Sequence, residues 1–207
     1  MKYSAVGFSA GLRSVARFSG RSVGICVLVL TSFFTTSVAQ ASEGAFITAI
    51  SASPPPSGAQ QLCRQYSWAC SSQKAASRTS KQEMQIVKKV NLQVNASTRA
   101  ITDQSQYRQR EFWALPTTRG GDCEDFALLK KRNLIKAGID PSKLLIATVL
   151  DTRRNAHAVL VYRSAQGDLV LDNLTNSIKP WKATRYLFLR MQDPKQPRRW
   201  VGVYGND

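Results

Sequence analysis

In the run SKQEMQIVKKVNLQVNAS (80–97), apolar side chains return every three or four residues: Met84, Val87, Val90 or Asn91, and Val94. That is the spacing of one helix face, and Ser80 with Glu83 forms a capping-box pattern at its start. Residues 123–137 carry a second helical pattern, with Ala127, Leu128, Leu134 and Ile135 as its apolar face. Asp122 is placed to cap it, Glu124 and Asp125 sit in its first turn, and Gly138 is placed to end it. Three strand-like runs follow: LLIATVL (144–150), HAVLVYR (157–163) and DLVLDN (168–173). Ser164–Gly167 is a short turn, so the last two predict an antiparallel hairpin. RWVGVYG is a final strand candidate. Helix followed by a strand meander predicts an α+β domain.

Two segments have no such pattern. Residues 42–58 contain SASPPPSG, which predicts a flexible or polyproline-like leader outside the core. ITDQSQYRQREFWALPTTRGG predicts an irregular connection whose Phe112 and Trp113 either line a cleft or plug the core.

The N-terminal residues change the picture of where the domain begins. Residues 1–22 carry Lys2, Arg13, Arg17 and Arg21 and no acid; VGICVLVLTSFFTTSV is apolar; Ala39 and Ala41 then frame AQA. This order is that of a signal peptide cleaved after Ala41. The apolar run is short of the ~20 residues a membrane span requires. The expected organisation is a signal peptide over 1–41, the leader over 42–58 and one domain over 59–207, in a periplasmic or secreted protein. Cleavage removes four cations and no acid, so the net charge falls from +16 to +12. The remaining cations are scattered without a recognition motif, which argues against nucleic acid as a partner.

Of the four cysteines, Cys26 leaves with the signal peptide. Cys63 and Cys70 lie seven apart in loop-like sequence, and in an oxidising compartment such a pair can form a disulfide. Cys123 is left without a partner. One histidine and no C-x-x-C exclude a zinc site of the usual ligand set.

Cys123 opens the second helix. Unpaired N–H groups and the positive dipole end favour a thiolate there and offer donors to an oxyanion. Gly120 and Gly121 suggest close approach of substrate backbone. The acids Asp122, Glu124 and Asp125 oppose thiolate formation unless they point away or a cation neutralises them. The single histidine, His157, is the only imidazole available as a base. If Arg163 pairs with Asp168 across the hairpin, His157 is diagonal to Asp172 on one face, close enough for a carboxylate to orient the ring. A slip of one residue would break that relation.

GDCEDFALLKKRNLIKAGI, HAVLVY and GDLVLDNL followed by Pro180-Trp181 resemble the bacterial transglutaminase-like cysteine peptidases, a family that includes the LapG-related periplasmic proteases. The resemblance spans roughly Ser80–Tyr204. It implies a papain-like, transglutaminase-like fold, with the nucleophile helix packed on an antiparallel β-sheet. It implies a Cys123–His157–Asp172 triad hydrolysing a peptide bond of a surface or periplasmic protein such as an adhesin. It further implies Ca²⁺ held by Asp122, Glu124 and Asp125, and a membrane-bound regulatory receptor. The leader, the Cys63/Cys70 pair and the DPKQPRRWVGVYG tail depart from that pattern, so the chemistry carries over more directly than substrate or regulation. The same triad would serve a transglutaminase or amidase acting on side-chain amides. A calcium-dependent binding module with no activity is the non-enzymatic alternative.

Overall fold

The computed structural model describes residues 44–73 and 78–203; the expected signal peptide lies outside them. The first strand, β1, is Ser51–Ser53, followed by the short helix α1, Leu62–Gln65. Two longer helices, α2 (Ser80–Ser97) and α4 (Cys123–Lys136), flank a single turn and a half, α3 (Asp103–Tyr107). Six strands complete the chain: β2 (Leu144–Leu150), β3 (Ala156–Ser164), β4 (Gly167–Leu171), β5 (Lys179–Pro180), β6 (Leu187–Gln192) and β7 (Trp200–Gly202). They form one sheet in the order β1-β7-β6-β2-β3-β4-β5, antiparallel throughout.

The sheet is covered on both faces, which is why β2 and β3 read as near-continuous apolar runs. Leu144, Ile146, Leu160 and Tyr162 pack with Val87, Val94, Phe126 and Leu128 of the helices. The alternate residues Leu145, Ala147, Val159 and Val161 pack with Trp181, Tyr186 and Phe188. Two buried polar side chains tie the layers. Glu83 accepts from Lys143 Nζ at 2.8 Å and from Tyr162 Oη at 2.6 Å. Gln192 Oε1 accepts from Lys131 Nζ at 2.7 Å and from Ile146 N at 3.1 Å, while its Nε2 donates to Ala69 O and Pro197 O.

Several expectations are revised. The capping box of α2 is Thr79 with Gln82, one residue earlier than expected, because Glu83 is turned inward to Lys143 and Tyr162. The meander runs only from β2 to β5; β6 returns to pair with the other edge of β2. Residues 44–58 are part of the fold: Ile47 is buried, and β1 pairs with β7 in the register Ser51↔Gly202. The expected disulfide between Cys63 and Cys70 is present, with Cα atoms 5.5 Å apart. No helix among the described residues is long and apolar enough to cross a membrane.

Candidate active site

Cys123 stands at the first position of α4. The two glycines before it are required by the packing of the chain itself. Gly120 has φ +123°, and a Cβ there would come within 2.0 Å of Arg99 O; a Cβ on Gly121 would meet Asp125 Oδ2 at 2.5 Å. They let residues 120–121 lie against Arg99–Ile101, with Gly121 N donating to Arg99 O at 3.1 Å.

The hairpin has the register Arg163↔Asp168. It carries Asp172, one residue past β4, to His157: Nε2 and Asp172 Oδ1 are 2.9 Å apart. Both are buried. Asp172 is held on every side. Leu174 N donates to Oδ1 at 3.0 Å, Tyr186 Oη donates to Oδ2 at 2.7 Å, and Asn95 Nδ2 of α2 donates to its carbonyl at 2.9 Å. Burial pushes this carboxyl upward, but the hydrogen bonds from His157, Leu174 and Tyr186 outweigh it and hold the acid below its ordinary value. Tyr186 also sets its ring edge against the imidazole, centroids 5.9 Å apart. The sequence reading missed Tyr186; its one signal was the alternation around RYLFLR (185–190).

Cys123 and His157 line one cavity of about 280 Å³ with Trp113, Glu124 and Ala158. The backbone N–H of Ala158, next in the chain to His157, acts to lower the thiol pKa but is outweighed by burial and Glu124. Thr148, Val149, Leu189 and Arg190 close another side, where a β-bulge interrupts the β2–β6 ladder after Thr148. Trp113 settles the question posed by the irregular segment by doing both jobs: it is buried against Trp200 and lines the cavity, whereas Phe112 is exposed and packs on Tyr107.

The acids near the thiol do not point away. Cys123 Sγ donates to Glu124 Oε2 at 3.1 Å. Burial raises the thiol pKa, and the Glu124 charge and hydrogen bond raise it further. Glu124 is itself pushed up to about 9 by burial and by Asp122. Asp122 does not cap α4 with its side chain; its Oδ2 accepts from Asp103 N at 3.1 Å. Asp103, buried at the start of α3, is raised to about 6 by burial, partly countered by the N–H that Phe112 donates to it.

Asp103, Asp122 and Glu124 bring carboxylate oxygens within 4.8 Å of one another, the geometry of a cation site. Oδ1 of Asp103, Oδ1 of Asp122 and Oδ2 of the neighbouring Asp125 are all buried with no hydrogen-bond partner among the described residues, which leaves them open to an ion. This grouping differs in one member from the expected Asp122, Glu124 and Asp125. Asp125 is outside the group: its Oδ1 holds the Ala114 N–H at 2.9 Å, and burial raises it to about 7. Asp103 stands in the group instead, brought from 19 residues upstream by α3. No local pattern in the sequence connects it to Asp122.

The family described as bacterial transglutaminase-like cysteine proteinase, BTLCP, matches residues 49–207. The chain belongs to this family, and its fold of helices on an antiparallel sheet is that of a transglutaminase-like cysteine peptidase. Among solved structures, calcium-bound LapG of Legionella pneumophila is similar at 25% identity, over 70% of this chain and 87% of that one, with a TM-score of 0.49. EGTA-treated LapG of the same organism is similar at 26% identity, over 64% and 78% of the two chains, with a TM-score of 0.46. A search of curated proteins found no match.

Proposed function

We propose that this cysteine peptidase is exported and cuts a peptide bond through Cys123, His157 and Asp172. The 2.9 Å contact of His157 Nε2 with Asp172, on a histidine that shares a cavity with the only free cysteine among the described residues, carries the reading. With Nε2 engaged, Nδ1 is the nitrogen left to take the thiol proton. The Cys123 sulfur attacks the substrate carbonyl carbon, and the oxygen that becomes negative is met by the Cys123 backbone N–H, which has no partner within the helix. His157 returns the proton to the departing amine. Water, deprotonated by the same nitrogen, then cleaves the thioester. Asp172, kept ionised by its three hydrogen bonds, holds the ring and stabilises its charged form.

As the structure stands, burial and Glu124 hold the thiol protonated. Asp103, Asp122 and Glu124 fit a hard cation such as Ca²⁺, and they would hold it through carboxylate oxygens. Bound calcium supplies positive charge that offsets these acids beside the sulfur. Cleavage of a surface or periplasmic protein such as an adhesin, and control by a membrane receptor, rest on the sequence resemblance alone.

The test is product analysis by mass spectrometry with peptide mixtures, in the presence of an amine acceptor. The proposal expects new termini with wild type and none with Cys123→Ala or His157→Ala. Amine-coupled side chains without new termini would assign the site to transglutamination instead.

A further inference from the structure

We propose that the proline-rich segment Pro54–Ala59 is a specificity-determining wall of the substrate cleft, with Ser57 the residue a bound chain meets as it leaves the nucleophile. The inference rests on the assignment of Cys123 as the attacking group. Pro56 and Ser57 line the cavity that holds Cys123 and His157. Ser57 also lines an adjoining cavity with Gln109, Arg110 and Glu111. Ser57 and Glu111 are common to both, so they form the rim between them. A peptide in extended form advances ~3.3 Å per residue, so a chain held across Cys123 crosses that rim within a few residues.

The segment is built to stay where it is. Upstream, β1 pairs with β7. Arg190 Nη1, from the strand that floors the cleft, donates to Pro54 O at 3.1 Å. Ala59 is buried in the core, and its N–H returns to Pro56 O at 2.9 Å. Consecutive prolines fix φ between those anchors. Gly58 lies so close to Trp113 that a Cβ would come within 2.4 Å of the indole Cδ1. Trp113 in turn donates from Nε1 to Glu111 Oε2 at 3.2 Å, coupling this wall to the opposite lip. None of these contacts orients the thiol, the imidazole or Asp172, which α4, β3 and the end of β4 place. The wall therefore acts on which chain enters. The Ser57 side chain is exposed, so its size can be changed without loss of buried contacts.

The experiment is a cleavage profile on a peptide mixture randomised around the scissile bond, read by mass spectrometry with the full protein. Ser57→Phe should shift the preference at one position, on one side of the cut, about 10-fold against bulky residues. Ser57→Gly should shift the same position the other way. Profiles of both variants that superimpose on wild type overturn the assignment of the wall. Cleavage that persists in Cys123→Ala overturns the underlying reading, and the wall with it.

Discussion

Tyr186→Phe tests how Asp172 is held. The substitution keeps the buried ring and removes only the hydroxyl that donates to Asp172 Oδ2 at 2.7 Å. Asp172 is 3% exposed, so water has little room to replace the lost donor. A hydrogen bond to a charged group contributes about 1.5–3 kcal/mol, and the variant should lose that much stability at neutral pH. The pH dependence has a definite sign. The folded Asp172 carboxyl titrates below its ordinary value, so the stability it contributes is present above ~3.9 and is lost as pH falls through the folded value. The deficit of Tyr186→Phe should therefore shrink in acid. Activity should fall through kcat with little change in KM, because the hydroxyl orients the ring and does not meet substrate. Urea unfolding at neutral and acid pH, beside steady-state kinetics, measures all three. A stability change below about 0.5 kcal/mol, or a deficit that persists undiminished in acid, would refute the reasoning.

Other consequences follow from the acid cluster and the buried ties. Asp103→Asn should weaken calcium binding about 10-fold or more by isothermal titration, whereas unchanged affinity would remove Asp103 from the site. Asp103, Asp125 and Glu124 titrate above their ordinary values, so they stabilise the fold at low pH and lose that contribution as pH rises. With chelator present, Tm should fall between about pH 4.5 and about pH 7; a flat or rising Tm there contradicts the assignment. Lys130 and Lys131, held down to about 7 by burial, add the opposite slope only above that window. Glu83→Ala leaves the buried Tyr162 hydroxyl without its acceptor and should cost about 1–3 kcal/mol in chemical denaturation.

What the sequence made legible was local or periodic. The range of β2, the span of α2 and the register Arg163↔Asp168 all follow from apolar spacing and a short turn. The register alone brings Asp172 to His157. What stayed hidden depends on distant partners. Asp103 reaches Asp122 only through α3, a helix of five residues with no apolar period to announce it. β1 is three residues of serine and alanine, and only β7 makes it a strand. Glycines 120 and 121 drew attention as a substrate approach, but their packing against Arg99 and Asp125 required coordinates. For Asp103, β1 and Gly120 a contact distant in sequence overrode what local composition suggested.

The most direct test of the account is the alkylation rate of Cys123 against pH, with calcium and with chelator, beside His157→Ala. In protein that starts at Ser42, and so lacks Cys26, the disulfide between Cys63 and Cys70 leaves Cys123 as the reporting thiol. The account predicts fast alkylation well below the ~8.5 of a free thiol when calcium is present, slow alkylation with chelator, and loss of the fast reaction in His157→Ala. An ordinary thiol titration, indifferent to both calcium and His157, would contradict it.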